Sequence, residues 1–221
     1  MLQIRIHGRG GQGVVTAAEM LSVAAFEQGR HAQAFPSFGS ERTGAPVVAF
    51  CRIDDSEIRL REPILAPDVL IVQDPTLLHQ VDVFQGLRPD GYVLINSKRS
   101  FRELGLADIE QRFRTERLTT VPATEIAFKH LGRPLPNAVL LGGFAALSGL
   151  ITLDAVAHAI RAKFSGKVAD GNIAAAGEAY EFVKHEMEDL MTTPNAPAAR
   201  PPKGDQASSG GRARPDHAQT N

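Results

Sequence analysis

LQIRIHGRGGQG, residues 2–13, decides the fold. Leu2, Ile4 and Ile6 alternate with Gln3, Arg5 and His7, the period of a half-buried strand. Gly8-Arg9-Gly10-Gly11-Gln12-Gly13 follows at G-x-G-x-x-G spacing. Beyond it Val14, Ala17, Ala18, Leu21, Ala24 and Ala25 recur at helical intervals, predicting a helix over residues 12–28 that Gly29 stops. Strand, glycine turn and helix in that order open a doubly wound α/β domain. Glycine in such a turn permits positive φ and brings backbone N–H groups close to an anion. The helix start favours that anion by about 0.3–1 kcal/mol. A tight turn that merely packs glycine against a sheet carries the same signature.

Working outward, residues 31–35 predict a second strand, residues 36–46 (PSFGSERTGAP) a punctuated loop, and residues 47–53 a third strand. Asp54-Asp55-Ser56 reads as a turn that returns the third strand as a hairpin through residues 57–60. DVLIVQ (68–73) and GYVLIN (91–96) are strands of the fully buried kind, with a short helix over 75–84 between them. A further strand at 117–121 precedes a helix at 123–131. Alternating strands and helices predict a mainly parallel, Rossmann-like sheet with helices on both faces. Residues 137–190 read as a helical C-terminal part: the run AVLLGGFAALSGL, a helix capped by Thr152, and a long helix from near Ile173. Asn137, following Pro134-Leu135-Pro136, reads as the N-cap of the first of these. From Thr192 onward there is no Leu, Ile, Val or Phe. Ordering costs about 1–2 kcal/mol per residue, which such a stretch cannot offset. The expected organisation is one domain over residues 1–190 and a disordered tail over 191–221.

Composition narrows the function. The chain has 221 residues, 43% hydrophobic and 22% charged, with a net charge of −1 and no Trp, which gives no electrostatic or stacking footprint for nucleic acid. No apolar run approaches the roughly 18–20 residues of a membrane span, and MLQIRIHGRGG lacks a secretory pattern, so a cytoplasmic location is expected. The single cysteine, Cys51, can form no internal disulfide and cannot by itself hold an iron–sulfur cluster or a cysteine-rich zinc site. It shares a strand face with Val47, Ala49 and Ile53, the position of a core thiol. The histidines show no metal-ligand spacing; His7, at the strand end beside the glycine turn, is the one candidate among them, with a structural role the expectation.

A nicotinamide site also needs an acidic residue at the end of the second strand to bind the ribose. Here that strand ends in Ala34-Phe35-Pro36, and Glu41 comes later, followed at once by Arg42. The turn leaves a phosphate-bearing ligand open and argues against a hydride carrier, which makes a stand-alone NAD-dependent oxidoreductase the weakest alternative. The loop at 36–46 is longer than a minimal connection, and Arg42 within it suits an anion as well as a salt bridge with Glu41.

IRIHGRGGQGVVTAAEML, AQAFPSFGSERTGAPVVAFCRI, PDVLIVQDPTLL and VPATEIAFKHLGRPLPNAVLLGGFAALSGL, in this order, resemble the gamma subunit of 2-oxoacid:ferredoxin oxidoreductases. The likeness runs from about Met1 to Leu190 and is greater to the pyruvate type than to the 2-oxoglutarate or indolepyruvate types, with a subunit for another 2-oxoacid (2-oxoglutarate, branched-chain or indolepyruvate) as an alternative. It implies a heteromeric enzyme with alpha, beta and delta-type subunits that converts pyruvate and coenzyme A to acetyl-CoA and CO₂ and reduces ferredoxin or flavodoxin. It places thiamine diphosphate, Mg²⁺ and [4Fe–4S] clusters on the partner subunits. This chain has no G-D-G…N-N thiamine motif. Carried onto this sequence, the resemblance sets Gly8, Arg9, Gly10, Gly11, Gln12 and Gly13 against coenzyme A, with Ser40, Glu41 and Arg42 shaping the adjoining surface. It assigns the chain no catalytic residue and no metal. A subunit that only aligns its partners, with no ligand of its own, is the alternative.

Overall fold

The computed structural model describes residues 1–37 and 43–192. Six strands form one sheet in the order β2-β3-β1-β4-β5-β6: β1 Leu2–Arg9, β2 His31–Pro36, β3 Pro46–Asp54, β4 Val69–Val72, β5 Tyr92–Asn96 and β6 Leu118–Val121. The β1, β4, β5 and β6 run is parallel, while β3 is antiparallel to both β1 and β2. The sheet is therefore mainly parallel, as the alternation of elements predicts. The antiparallel insertion of β3 between β1 and β2 is a departure, since β1 and β2 are not neighbours.

Alternation along the strands divides the core. Ile4, Ile6, Val69, Ile71, Leu94 and Val121 face a helical layer. That layer consists of α1 (Val14–Glu27) with a C-terminal group. α2 (Ala107–Arg112) lies elsewhere, and the group is α3 (Ala123–Leu131), α4 (Asn137–Ser148), α5 (Leu153–Lys163) and α6 (Gly166–Thr192). Leu70, Val72, Val93 and Ile95 face the opposite layer, where α2, two short 3-10 turns and their loops supply Leu77, Phe101, Leu104 and Ile109. Residues 75–84 hold only the 3-10 turn Pro75–His79, capped by the Asp74 carboxylate, in place of the expected longer helix.

α4 is the keystone of the helical layer. All of its residues except Ala146 and Ser148 are buried, as expected of a helix that is apolar on every side. Gly142 makes that possible: a Cβ there would lie 2.0 Å from the carbonyl oxygen of Ala176 in α6. α6 begins at Gly166, a turn and more before Ile173, and runs to Thr192. Thr152 caps α5 as expected, its hydroxyl accepting the Ala155 N–H at 3.1 Å. Residues 193–221, the greater part of the expected tail, lie outside the described residues.

Residues 57–60 do not return as a strand. Arg52 on β3 instead donates to the carbonyl oxygens of Leu60 at 3.4 Å and Glu62 at 2.5 Å. Arg5 on β1 likewise reaches those of Ile64, Val83 and Gln85. Each buried guanidinium thus anchors loop carbonyls to the sheet through charge-assisted bonds, and Leu60 is the one acceptor within the expected hairpin return.

Candidate functional site

The glycine turn sits at the carboxyl end of β1, the central strand of the sheet. Gly8 is pressed from three sides: a Cβ on it would meet Val14 Cγ2 at 2.6 Å, Gln12 Oε1 at 3.1 Å and Gln73 Cβ at 3.2 Å. Gly11 has φ of 95°. Gly13 has φ of 71° and caps α1 in the left-handed region, where other residues are strained.

The turn is fastened on two flanks. On the β3 side the Gly10 N–H donates to Ala45 O at 2.9 Å, Gly44 N–H donates to Gly10 O at 3.0 Å, and Gly10 bridges Thr43. The root of the 36–46 loop is thereby stitched to the turn. Ser40, Glu41 and Arg42 lie outside the described residues, but Thr43, which follows Arg42 in sequence, pairs directly with Gly10. On the β4 side the Arg9 guanidinium meets Asp74 at 3.2 Å, Thr76 Oγ1 at 2.6 Å, Gln80 Oε1 at 3.0 Å and the Gly44 carbonyl at 3.0 Å. Gln12 accepts the Arg9 N–H and donates to Asp74, both at 2.8 Å. Burial raises the Asp74 pKa, but bonds from the Thr76 hydroxyl, Gln12, the Thr76 N–H and then the charge of Arg9 outweigh it and hold it below the ordinary value. Arg9 and Gln12 therefore brace the turn across the gap between β1 and β4.

What remains open is the backbone. The first N–H groups of a helix have no partner within it. At α1 these belong to Val14, Val15 and Thr16, and no acidic residue occupies the first turn. They adjoin a cavity of about 310 Å³ whose lining includes Arg9, Gly10, Gly11, Gly13, Val14 and Thr16. The arrangement offers donors and a helix-end positive field to a small anionic group. β3 explains why it lacks a ribose acid: the position beside β1 that β2 would hold in a dinucleotide-binding sheet is filled by β3.

The family described as pyruvate ferredoxin/flavodoxin oxidoreductase matches residues 3–182. The chain belongs to this family. It is 48% identical over 185 residues to pyruvate synthase subunit PorC of Methanothermobacter marburgensis, covering 84% of this chain and 99% of that protein. It is 46% identical over 190 residues to the pyruvate/ketoisovalerate oxidoreductases common subunit gamma of Pyrococcus furiosus, covering 86% and 100%. The crystal structure of pyruvate oxidoreductase subunit PORC from Thermotoga maritima superposes with a TM-score of 0.68 at 36% identity, covering 81% of this chain and 95% of that one.

In this family member Cys51 is a fully buried core thiol whose pKa burial pushes up to about 12, away from thiolate chemistry. His7 does not line the glycine-turn cavity. It lies on the opposite sheet face with Arg5, 7% exposed, and its Nε2 has no hydrogen-bond partner among the described residues. Burial, helped by the charge of Arg5, lowers its pKa from 6.5 to about 4. A histidine whose folded pKa is depressed supports stability fully above the unfolded value and loses it as pH falls through the folded one. The window is pH 6.5 to 4, and the full shift corresponds to about 3 kcal/mol. His7→Gln is expected to flatten the acid limb of the stability curve by that amount, read as the difference between wild-type and variant urea midpoints across that window.

Asn137 is the residue whose sequence reading falls short. It is not the N-cap, a position held by Pro136, but the first residue of α4. Its Oδ1 accepts the adjacent Ala138 N–H at 2.9 Å, and its Nδ2 faces Gly13. No local pattern could show this, because the two residues are brought together only by the packing of α1 against α4.

Proposed function

We propose that this chain is the gamma subunit of a multisubunit pyruvate (2-oxoacid):ferredoxin oxidoreductase and that it holds coenzyme A at the glycine turn. The observation that carries the coenzyme A reading is the start of α1, whose first N–H groups adjoin a cavity, with no acidic residue in the helix's first turn. Such a site suits a phosphate-bearing ligand that transfers no hydride. Family membership supplies the enzyme class. The common gamma subunit of Pyrococcus furiosus is named for both pyruvate and ketoisovalerate oxidoreductases, which favours a 2-oxoacid pocket on the partner subunits.

Gly8, Gly10, Gly11 and Gly13 would let the backbone approach the diphosphate or pantetheine segment. Arg9 and Gln12 keep the turn in shape through Asp74, and Ser40, Glu41 and Arg42 shape the neighbouring surface. Thiamine diphosphate, Mg²⁺ and [4Fe–4S] clusters belong to the alpha, beta and delta-type partners. The one thiol here is buried and protonated, and among the described residues no group of three or more potential ligands is placed for a metal. The chain's contribution is positional: it presents the coenzyme A thiol to the intermediate on the partner and makes no bond itself. Residues 1–190 form the gamma domain and 191–221 its tail, in the cytoplasm; among the described residues no helix is long and apolar enough to cross a membrane.

Arg42→Ala tests the assignment in the assembled complex. It is expected to raise the KM for coenzyme A about tenfold, the scale of one charge-assisted hydrogen bond, and to leave the KM for pyruvate unchanged. Equal changes in both constants would favour a subunit that only aligns its partners.

A further inference from the structure

We infer that Asp74 is a positioning residue of the glycine-turn site: through Arg9 and Gln12, its carboxylate holds the turn and the root of the 36–46 loop as one unit, set for the ligand. The ligand part of the inference rests on the coenzyme A reading and deepens it.

The two oxygens of Asp74 have separate partners. Oδ1 caps the 3-10 turn Pro75–His79, accepting the Thr76 N–H at 3.0 Å and the Thr76 hydroxyl at 2.5 Å. Oδ2 is not needed for that cap. It accepts from Gln12 Nε2 at 2.8 Å and pairs with Arg9 Nε at 3.2 Å. The Arg9 and Asp74 side chains are 20% and 13% exposed, so solvent and salt screen the pair less than they would at an open surface.

From Oδ2 two routes reach the site. One runs through Gln12, whose Oε1 accepts the Arg9 N–H at 2.8 Å and closes the turn on itself. The other runs through the Arg9 guanidinium. With Nε held by Asp74 and Nη2 by Thr76 and Gln80, Nη1 meets the Gly44 carbonyl on the β3 side at 3.0 Å. Gly44 N–H donates to Gly10 O, and Gly10 N–H to Ala45 O. One carboxylate thus sets a turn whose Arg9, Gly10, Gly11 and Gly13 line the cavity, together with the loop root beside it. Asp74 itself does not line that cavity, so it acts through the groups it orients. A small misplacement of such groups is enough to weaken a site.

The test uses the purified complex carrying wild-type chain, Asp74→Asn, Thr76→Val or Asp68→Asn. Asp74→Asn keeps an oxygen for the Thr76 cap and sets an amide donor where Oδ2 met two donors. Thr76→Val leaves Asp74 in place and removes the hydroxyl between it and Arg9, so a folding defect in one variant leaves the other to decide. Asp68→Asn is the control. At the other end of β4, Asp68 accepts the Gln3 N–H at 2.8 Å and pairs with Arg88 at 3.3 Å, away from the turn. Hydrogen exchange is followed in peptides spanning residues 8–13 and 43–47, and coenzyme A binding by calorimetry without pyruvate. In Asp74→Asn both segments are expected to exchange about tenfold faster and the coenzyme A Kd to rise about tenfold, the scale of one charge-assisted bond. Thr76→Val should show both effects more weakly, and Asp68→Asn neither. Unchanged exchange in Asp74→Asn and Thr76→Val, or equal acceleration in Asp68→Asn, would overturn the inference. Faster exchange with unchanged coenzyme A affinity would overturn it as well. In that case, loss of affinity on Gly13→Ala leaves the coenzyme A reading standing, and no loss there removes that reading too.

Discussion

Gly142→Ala is expected to destabilise the chain by about 3 kcal/mol, the upper end for overpacking a buried site. The reason is what the new methyl meets. Its nearest neighbours are the Ala176 carbonyl oxygen at 2.0 Å, the carbonyl carbon at 2.6 Å and Cα at 2.8 Å, all backbone. A side chain could rotate away; the backbone of α6 cannot. α4 must separate from α6, and since α4 is buried against the sheet as well, the displacement spreads to the β5–β6 half of the core. Gly143, next to it, provides the contrast. A Cβ there meets only side-chain methyl groups, Val121 Cγ2 at 3.3 Å being the nearest. Gly143→Ala should therefore cost far less, part of its cost being offset by the higher helix propensity of alanine. Urea unfolding of the two variants checks this: a lower midpoint at unchanged slope for Gly142→Ala alone is expected. Similar midpoints would mean that the two helices do not approach through Gly142.

Gly13→Ala is the second large effect, and it reaches function. An alanine there takes on left-handed backbone strain of about 1–2 kcal/mol and drives its methyl to 2.4 Å from Asn137 Nδ2. Gly11→Ala is the matched control, because Gly11 has φ of 95° but nothing within 4 Å of its would-be Cβ. Both variants incur backbone strain, and only Gly13→Ala also pushes the Asn137 amide away from the turn. In the assembled complex Gly13→Ala is expected to raise the KM for coenzyme A at least about tenfold beyond Gly11→Ala, with the KM for pyruvate unmoved. Equal effects would assign the glycine requirement to backbone strain alone.

Much of this architecture is legible in the sequence because it is local. The runs around Val69–Val72 and Tyr92–Asn96 are apolar enough to be buried strands in any setting, and Cys51 on a face with Ala49 and Ile53 is a core thiol by parity. Thr152 followed by an amphipathic stretch is a cap that needs no tertiary partner. What is not legible depends on distant partners. β3 resembles any third strand, and its insertion between β1 and β2 follows from which edge it pairs with. Residues 57–60 form no hairpin strand, and the segment is held to β3 by Arg52, whose guanidinium meets the Leu60 and Glu62 carbonyls. The start of α6 is masked by Gly166 and Gly171, and Gly171 is there because Leu131 Cδ2 would lie 2.8 Å from a Cβ.

The candidate site divides along the same line. The spacing of Gly8, Gly10, Gly11 and Gly13 announces a strand-to-helix turn, and the missing acidic residue argues against a nicotinamide. The sequence does not show that Arg9 and Gln12 are committed to Asp74, more than sixty positions away, or that Asn137 packs its amide against Gly13. Those contacts depend on the chain being folded around β1.

The most direct test of the central claim is to tag this chain, purify it without oxygen from its native host, and assay coenzyme A-dependent reduction of viologen by pyruvate. A brown complex that contains iron and thiamine diphosphate and is active only when coenzyme A is present is the predicted result. A colourless, inactive chain that co-purifies with no partner subunits at low salt would contradict it.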